Sequence, residues 1–184
     1  MEVEKAVHAL LEKKTIVYPT DTVWGIGCDA TDPTAVAKVF ELKNRVESKS
    51  LIVLVNSTQM LTNYLENVPE RALQVLSKTS KPTTIIYDNP KGFAKNTIAN
   101  DNTIAIRIVS EGFCNELIAK FGKPIVSTSA NISGTPSPKC FAEIDKAILD
   151  NVDYVVNLHH EKISVKSSTI LRIDAHNEIQ VIRA

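Results

Sequence analysis

Residues 51–55, Leu51-Ile52-Val53-Leu54-Val55, form an unbroken apolar run of strand length. A strand with one wet face alternates apolar and polar residues, whereas a continuous run marks a strand buried on both faces. A sheet built around such a strand must be covered on each side, and the rest of the chain offers the covers. Val3, Val7, Leu10 and Leu11 share one helical face, predicting a helix that ends near Lys13-Lys14. A strand over 15–18 follows, closed by Pro19. Asp32-Pro33 reads as an N-cap and first helical residue, opening a helix with Val36, Val39 and Phe40 on one face that runs to about Asn44. Further helices are expected over 58–65 and 69–78, and strands over 83–87 and 103–109 on either side of a polar loop, 88–102. Phe113, Leu117, Ile118 and Phe121 mark a helix stopped by Gly122. A strand then runs into a loop over 124–131, and Phe141, Ile144, Ile148 and Leu149 mark one more helix. Strands over 153–158, 168–173 and 178–183 finish the chain, the last two joined by the turn Asp174-Ala175-His176-Asn177. Alternating helices and strands with a hairpin-like end predict a three-layer α/β domain, its sheet twisted and mixed parallel/antiparallel, in one unit over 1–184.

Charge and cysteines narrow the function. With 21 basic and 21 acidic residues the net charge is zero, so the global electrostatic footprint of a nucleic-acid protein is missing. Cys28, Cys114 and Cys140 are odd in number and far apart, which indicates neither a disulfide framework nor a zinc knuckle. The first residues, "MEVEKAVHALLEKK", are amphipathic and not signal-like, and no run of ~18 apolar residues occurs. A soluble cytoplasmic protein is expected, in which the Asn-x-Ser/Thr matches at Asn56 and Asn131 are chance.

Several chemical motifs fail. Gly122-Lys123 suggests a phosphate loop, but Leu117 and Pro124 stand where that pattern needs glycine and a hydroxyl residue. Gly25-Ile26-Gly27 lacks the third glycine of a dinucleotide fingerprint. His159-His160-Glu161 reads as a solvated loop, and no Gly-x-Ser-x-Gly elbow supports a serine nucleophile. Three segments remain at element ends, where α/β proteins place ligands. They are "YPTDTVWGIG" (18–27), "ELKNRVESKS" (41–50) and "STSANISGTPSP" (127–138). The middle one gathers Lys43, Arg45 and Lys49 at and beyond a helix C-terminus, where dipole capping alone would favour cations. The outer two are rich in hydroxyls, as ordinary turns also are. Together they supply what an anion site needs: cations and oriented donors.

"PTDTVWGIG", "KNR", "TSANISGTPSP" and "SSTIL" occur in this order along nearly the whole chain. In that arrangement the sequence resembles the YrdC/TsaC family, the threonylcarbamoyl-AMP synthases of tRNA modification. The resemblance implies a YrdC-like domain with a concave substrate cavity, one wall of it formed by the 18–27 stretch. It implies formation of threonylcarbamoyladenylate and pyrophosphate from L-threonine, bicarbonate and ATP, with Mg²⁺ carried on the triphosphate and no protein metal ligands. Lys43, Arg45, Ser129 and Asn131 match the residues that line the nucleotide site and carry the chemistry. Lys49, Thr84, Lys139 and Arg183 match further ATP contacts, while Thr22, Arg107, Ser129 and Ser168 match the threonine side. Downstream tRNA-modification proteins are the implied partners, and no membrane is involved.

The chain departs from the family pattern in places. Val46 and Ser50 stand where proline is usual, Trp24 replaces a tyrosine, and the length is that of the short, single-domain form. A competing reading is a non-catalytic YciO-like paralogue that binds nucleotide or RNA, weakly and through the backbone, with Lys38, Lys43, Arg45 and Lys49 as the basic patch.

Overall fold

Nine strands form one mixed sheet in the computed structural model, which describes residues 1–45, 51–163, 167–174 and 177–184. In chain order the strands are β1 (Ile16–Tyr18), β2 (Gly25–Gly27), β3 (Ile52–Val55), β4 (Thr83–Asp88), β5 (Thr103–Ile108), β6 (Ile125–Ser129), β7 (Tyr154–Val155), β8 (Thr169–Ile173) and β9 (Ile179–Arg183). The helices are α1 (Glu2–Leu11), α2 (Pro33–Leu42), α3 (Thr58–Asn63), α4 (Glu70–Lys78), α5 (Gly112–Phe121) and α6 (Lys146–Leu149). The sheet order is β7-β1-β2-β6-β3-β5-β4-β8-β9. The pairs β1–β7, β3–β5 and β4–β8 are parallel and the others antiparallel. The expected α/β class and mixed sheet are what the chain forms.

Strand alternation shows that both faces are covered. In β1, Val17 joins one apolar cluster while Ile16 and Tyr18 join another; in β3, Val53 and Val55 separate from Leu54 in the same way, as Val126 does from Ile125 in β6. Because successive side chains point to opposite faces, the two clusters lie on opposite sides of the sheet. The first packs residues of α2, α3, α4 and α6, and the second packs α1 and α5. The apolar run at 51–55 therefore sits where its composition requires, in the middle layer.

Local signals hold at most element ends. The Asp32 carboxylate accepts from the Thr34 and Ala35 amides at 3.0 and 2.9 Å, the N-cap expected of it. Gly122 takes the left-handed conformation after α5, with φ 77°. Elsewhere the structure corrects the sequence reading. The helix expected over 141–149 is a 3-10 turn at Phe141–Glu143 followed by the short α6, because the Asp145 carboxylate caps Ala147 at 2.8 Å and starts a new helix. The loop 88–102 contains a 3-10 turn at Lys95–Thr97. The strand expected over 153–158 is only Tyr154–Val155.

Residues 25–27, excluded above as a nucleotide loop, are the strand β2, which lies between β1 and β6. Glycine there answers a close approach. A Cβ on Gly27 would stand 2.5 Å from the Val126 carbonyl oxygen and 2.7 Å from the Tyr18 ring. Among the described residues no helix is long and apolar enough to cross a membrane. Lys49, Val46 and Ser50, and the Ala175-His176 part of the last turn, lie outside the described residues.

Candidate functional site

The face that carries α1 and α5 is not covered along its whole length. Where the helices end, the same face of β2, β6, β3, β5, β4 and β8 floors a cavity of about 320 Å³. Small side chains leave that space. Gly25, Ala105 and Ser127 line it, and Ser127, Ile52, Ala105 and Ile86 lie in one cross-strand row. The next row runs Leu54, Arg107, Thr84, Ile170 and Arg183. Pairing thus sets Arg107 and Arg183 in one cross-strand row, with Thr84 and Ile170 between them.

Three arginines line the cavity, Arg45, Arg107 and Arg183, together with the hydroxyls of Thr20, Thr22, Ser127, Thr128, Ser129, Ser137, Ser167 and Ser168. The lining carries positive charge and hydroxyl donors. Partial desolvation, and then the charge of Arg107, lower the pKa of Arg183, so the fields of these two arginines overlap. Arg183 is also fastened. Its Nε and Nη2 donate to the Ser168 carbonyl at 3.0 and 2.8 Å, and Nη2 reaches the Ser168 hydroxyl at 3.2 Å.

The 20–24 loop is stapled by its own hydroxyls. Thr20 Oγ1 donates to the Val23 carbonyl at 2.7 Å and accepts from the Thr22 amide at 3.0 Å, while the two threonine hydroxyls stand 3.0 Å apart. Asp21, between them, reaches the buried Arg107. Arg107 Nη1 donates to Asp21 Oδ1 at 2.6 Å and to Oδ2 at 2.7 Å. The Arg107 side chain is 4% exposed and that of Asp21 44%, so a carboxylate outside the cavity lining neutralises the buried arginine from the solvent side. Sequence reading missed Asp21, although its place inside "PTDT" beside Thr22 was the available signal.

The structure splits the Lys43–Arg45 pair. At the end of α2 the Asn44 amide donates to the Glu41 carbonyl and the Arg45 amide to the Phe40 carbonyl, both at 2.9 Å, with Asn44 at φ 47°. These two bonds around a left-handed residue are a Schellman stop. The reversal sends Lys43 one way and Arg45 the other. Arg45 lines the cavity. Lys43 is 2% exposed, and its ammonium donates to the carbonyls of Ser129 at 2.5 Å and Asn131 at 2.7 Å. Burial, and then the Arg45 charge, draw its pKa down to about 8. A lysine this buried cannot lie along an RNA backbone, which removes the centre of the basic patch; Lys38, meanwhile, stands 4.0 Å from Asp153.

The other expected residues divide in the same way. Thr22, Arg107, Ser129, Ser168 and Arg183 meet in the cavity lining. Thr84 is fully buried behind it, its hydroxyl 2.8 Å from that of Ser168. Asn131 does not line the cavity: its amide donates to the Ile132 and Thr135 carbonyls at 2.9 and 2.7 Å and closes its own loop, leaving Oδ1 buried without a partner among the described residues. Lys139 is exposed away from the lining, its amide bonded to the Glu143 carboxylate at 2.7 Å. Among the described residues no three His, Cys, Asp or Glu side chains converge to hold a metal.

Known proteins resemble this chain in sequence and in fold. The Sua5/YciO/YrdC family model, described as telomere recombination, matches residues 8–184. A threonylcarbamoyl-AMP synthase of Xanthomonas euvesicatoria pv. vesicatoria is 32% identical over 160 residues, covering 85% of this chain and 86% of that protein. The crystal structure of P. abyssi Sua5 complexed with L-threonine superposes with a TM-score of 0.89 at 26% identity. It covers 100% of this chain, which spans only 54% of the Sua5 chain. E. coli YciO shares the fold, with a TM-score of 0.85 at 22% identity over 98% of this chain and 87% of its own.

Proposed function

The chain belongs to the Sua5/YciO/YrdC family, and from that premise we propose that it is a threonylcarbamoyl-AMP synthase serving tRNA threonylcarbamoyladenosine modification. The L-threonine amine adds to CO₂ derived from bicarbonate, losing a proton and giving an N-carboxylate. That carboxylate attacks the α-phosphorus of ATP, the bond to the β-phosphate oxygen breaks, and pyrophosphate leaves. Every reactant is anionic, so the enzyme's task is to hold negative charges close together with fixed cations and donors. One observation carries the reading: Arg45, Arg107 and Arg183 converge with Thr22, Ser129 and Ser168 on a single cavity.

The side chains take distinct parts. Arg45 forks onto phosphate oxygens, which a guanidinium does and an ammonium does not. Ser129 and Arg183 orient nucleotide or carbamate oxygens. Thr22 and Ser168 bind threonine, and Arg107 meets its carboxylate with donors other than the Nη1 held by Asp21. Lys43 and Thr84 act through others, Lys43 by tying down the Ser129 and Asn131 backbone and Thr84 by supporting the Ser168 hydroxyl. Asn131 shapes the loop beside them. Mg²⁺ would arrive on the triphosphate, since no Asp or Glu lines the cavity among the described residues and Asp21, outside the lining, is paired with Arg107.

The deciding experiment measures pyrophosphate release from ATP with L-threonine, bicarbonate, both or neither. Release only with both is expected. Equal release without threonine would refute the synthase reading and leave a simple ATPase.

A further inference from the structure

Two histidines read from sequence as a solvated loop take no part in the cavity chemistry, yet one of them is well placed to govern it. The His160 ring stacks on Phe141 with centroids 3.8 Å apart and planes 10° from parallel. Both rings meet the edge or face of Trp24, Phe141 at 5.1 Å and 60°, His160 at 5.5 Å and 70°. The three come from separate parts of the chain. Trp24, 1% exposed, lies between Val23 and Gly25, which line the cavity. Phe141 follows the segment whose Ser137 lines it. His160 belongs to a strap whose ends are also pinned: the Val156 amide donates to Val17 O at 2.9 Å, and Lys162 Nζ to Thr20 O at 3.3 Å. Beyond Ile163 the next described residues, Ser167 and Ser168, are cavity lining again.

We propose that His160 is a positioning residue of the cavity, clamping the Thr20–Gly25 wall to the Ser137–Phe141 segment through Trp24 and Phe141. It touches no cavity surface itself. The ring of Trp24 sits in the apolar cluster on the far side of the sheet from the cavity, so the clamp grips the wall from behind. Thr22, two residues before Trp24, is the group whose placement depends on it. Aromatic stacking is directional, so the clamp fixes the angle of the wall as well as filling volume. This inference rests on the synthase reading for its kinetic test but not for its spectroscopic one.

Trp24 is the sole tryptophan, so intrinsic tryptophan emission reports on this one ring. The experiment compares wild type, His160→Ala and His160→Phe in emission, acrylamide quenching and adenylate formation. His160→Ala should shift Trp24 emission to the red, raise quenching, and raise KM for L-threonine about tenfold, the size of one net hydrogen bond lost. Its kcat should be little changed. His160→Phe keeps a flat ring to stack and should return KM to within about twofold of wild type. Unchanged emission in His160→Ala would overturn the clamp. Altered emission with an unchanged KM for L-threonine would reduce it to core packing, and so would failure of phenylalanine to rescue in a folded variant. If wild type forms no adenylate at all, the synthase reading fails separately. The clamp is then judged by Trp24 emission and acrylamide quenching alone, where equal values in wild type and His160→Ala overturn it.

Discussion

Ile52 and Leu54 stand two residues apart on one face of β3, and their surroundings differ. Leu54 is sealed among Ile16, Tyr18, Ile125 and the side chains of α1 and α5. Ile52 packs only on the margin of that cluster and also lines the cavity, in a row with Ala105 and Ser127. The same contrast runs along β6, where Ile125 is covered and Ser127 and Ser129 face the open space. One strand face thus serves as core at one end and as cavity floor at the other. What separates the two is where the covering helices stop. Under the helices large apolar side chains fill the space; beyond them small and hydroxyl-bearing residues keep it open.

The largest expected effect breaks the comparison at its covered end. Leu54→Ala leaves a cavity under α1 and α5 and should cost about 2–5 kcal/mol of unfolding free energy. Denaturant titration measures the loss, while kcat/KM per folded molecule stays near wild type. If activity fell in step with stability, the two ends would not be separable.

At the open end the balance reverses. Arg45→Ala should cost on the order of 2–4 kcal/mol of transition-state stabilisation, with stability little changed. Arg45→Lys should recover only part, because it keeps the charge and loses the fork. Adenylate formation read beside thermal unfolding tests this, and full recovery by lysine would argue for a point-charge contact.

Two glycines of β2 sharpen the boundary. Gly27→Ala drives a methyl into the Val126 carbonyl and the Tyr18 ring, and should destabilise by about 1–3 kcal/mol. Gly25→Ala meets nothing nearer than 3.4 Å. It should fold as wild type does and lose substrate affinity, because its methyl enters the cavity. Equal stability for the two variants would contradict the close approach at Gly27.

The smallest effect is a slope with pH. Lys43 has its pKa lowered from 10.5 to about 8. A lysine whose folded pKa lies below its unfolded value binds fewer protons folded than unfolded, so stability rises with pH between the two values. Wild type should therefore gain stability relative to Lys43→Met as pH rises from about 8 towards 10.5. Urea unfolding across that window checks it. A flat difference would mean that the two carbonyl acceptors offset the burial of the ammonium.

Much of the fold was legible because its signals are local. The run at 51–55 required cover on both faces, Asp32-Pro33 opened α2, and Gly122 closed α5. The family resemblance also pointed to Thr22, Arg45, Arg107, Ser129, Ser168 and Arg183, all of which line the cavity. The failures have one character. Lys43 and Arg45 looked alike in "KNR" until Asn44 took a left-handed turn between them. Asp21 gained its role only from Arg107, and His160 only from Phe141 and Trp24.

By itself, then, the sequence determined which residues face which side of which element, since periods of 2 and 3.6 residues and capping preferences act over a few neighbours. Tertiary structure decided where the cover ends, which cation is buried as a fastener and which lines the cavity. Those outcomes depend on contacts between residues some 86 positions apart, as Lys43 with Ser129 and Arg107 with Asp21 both are. No local pattern encodes them, because each is fixed only when the strands have paired and the helices have packed.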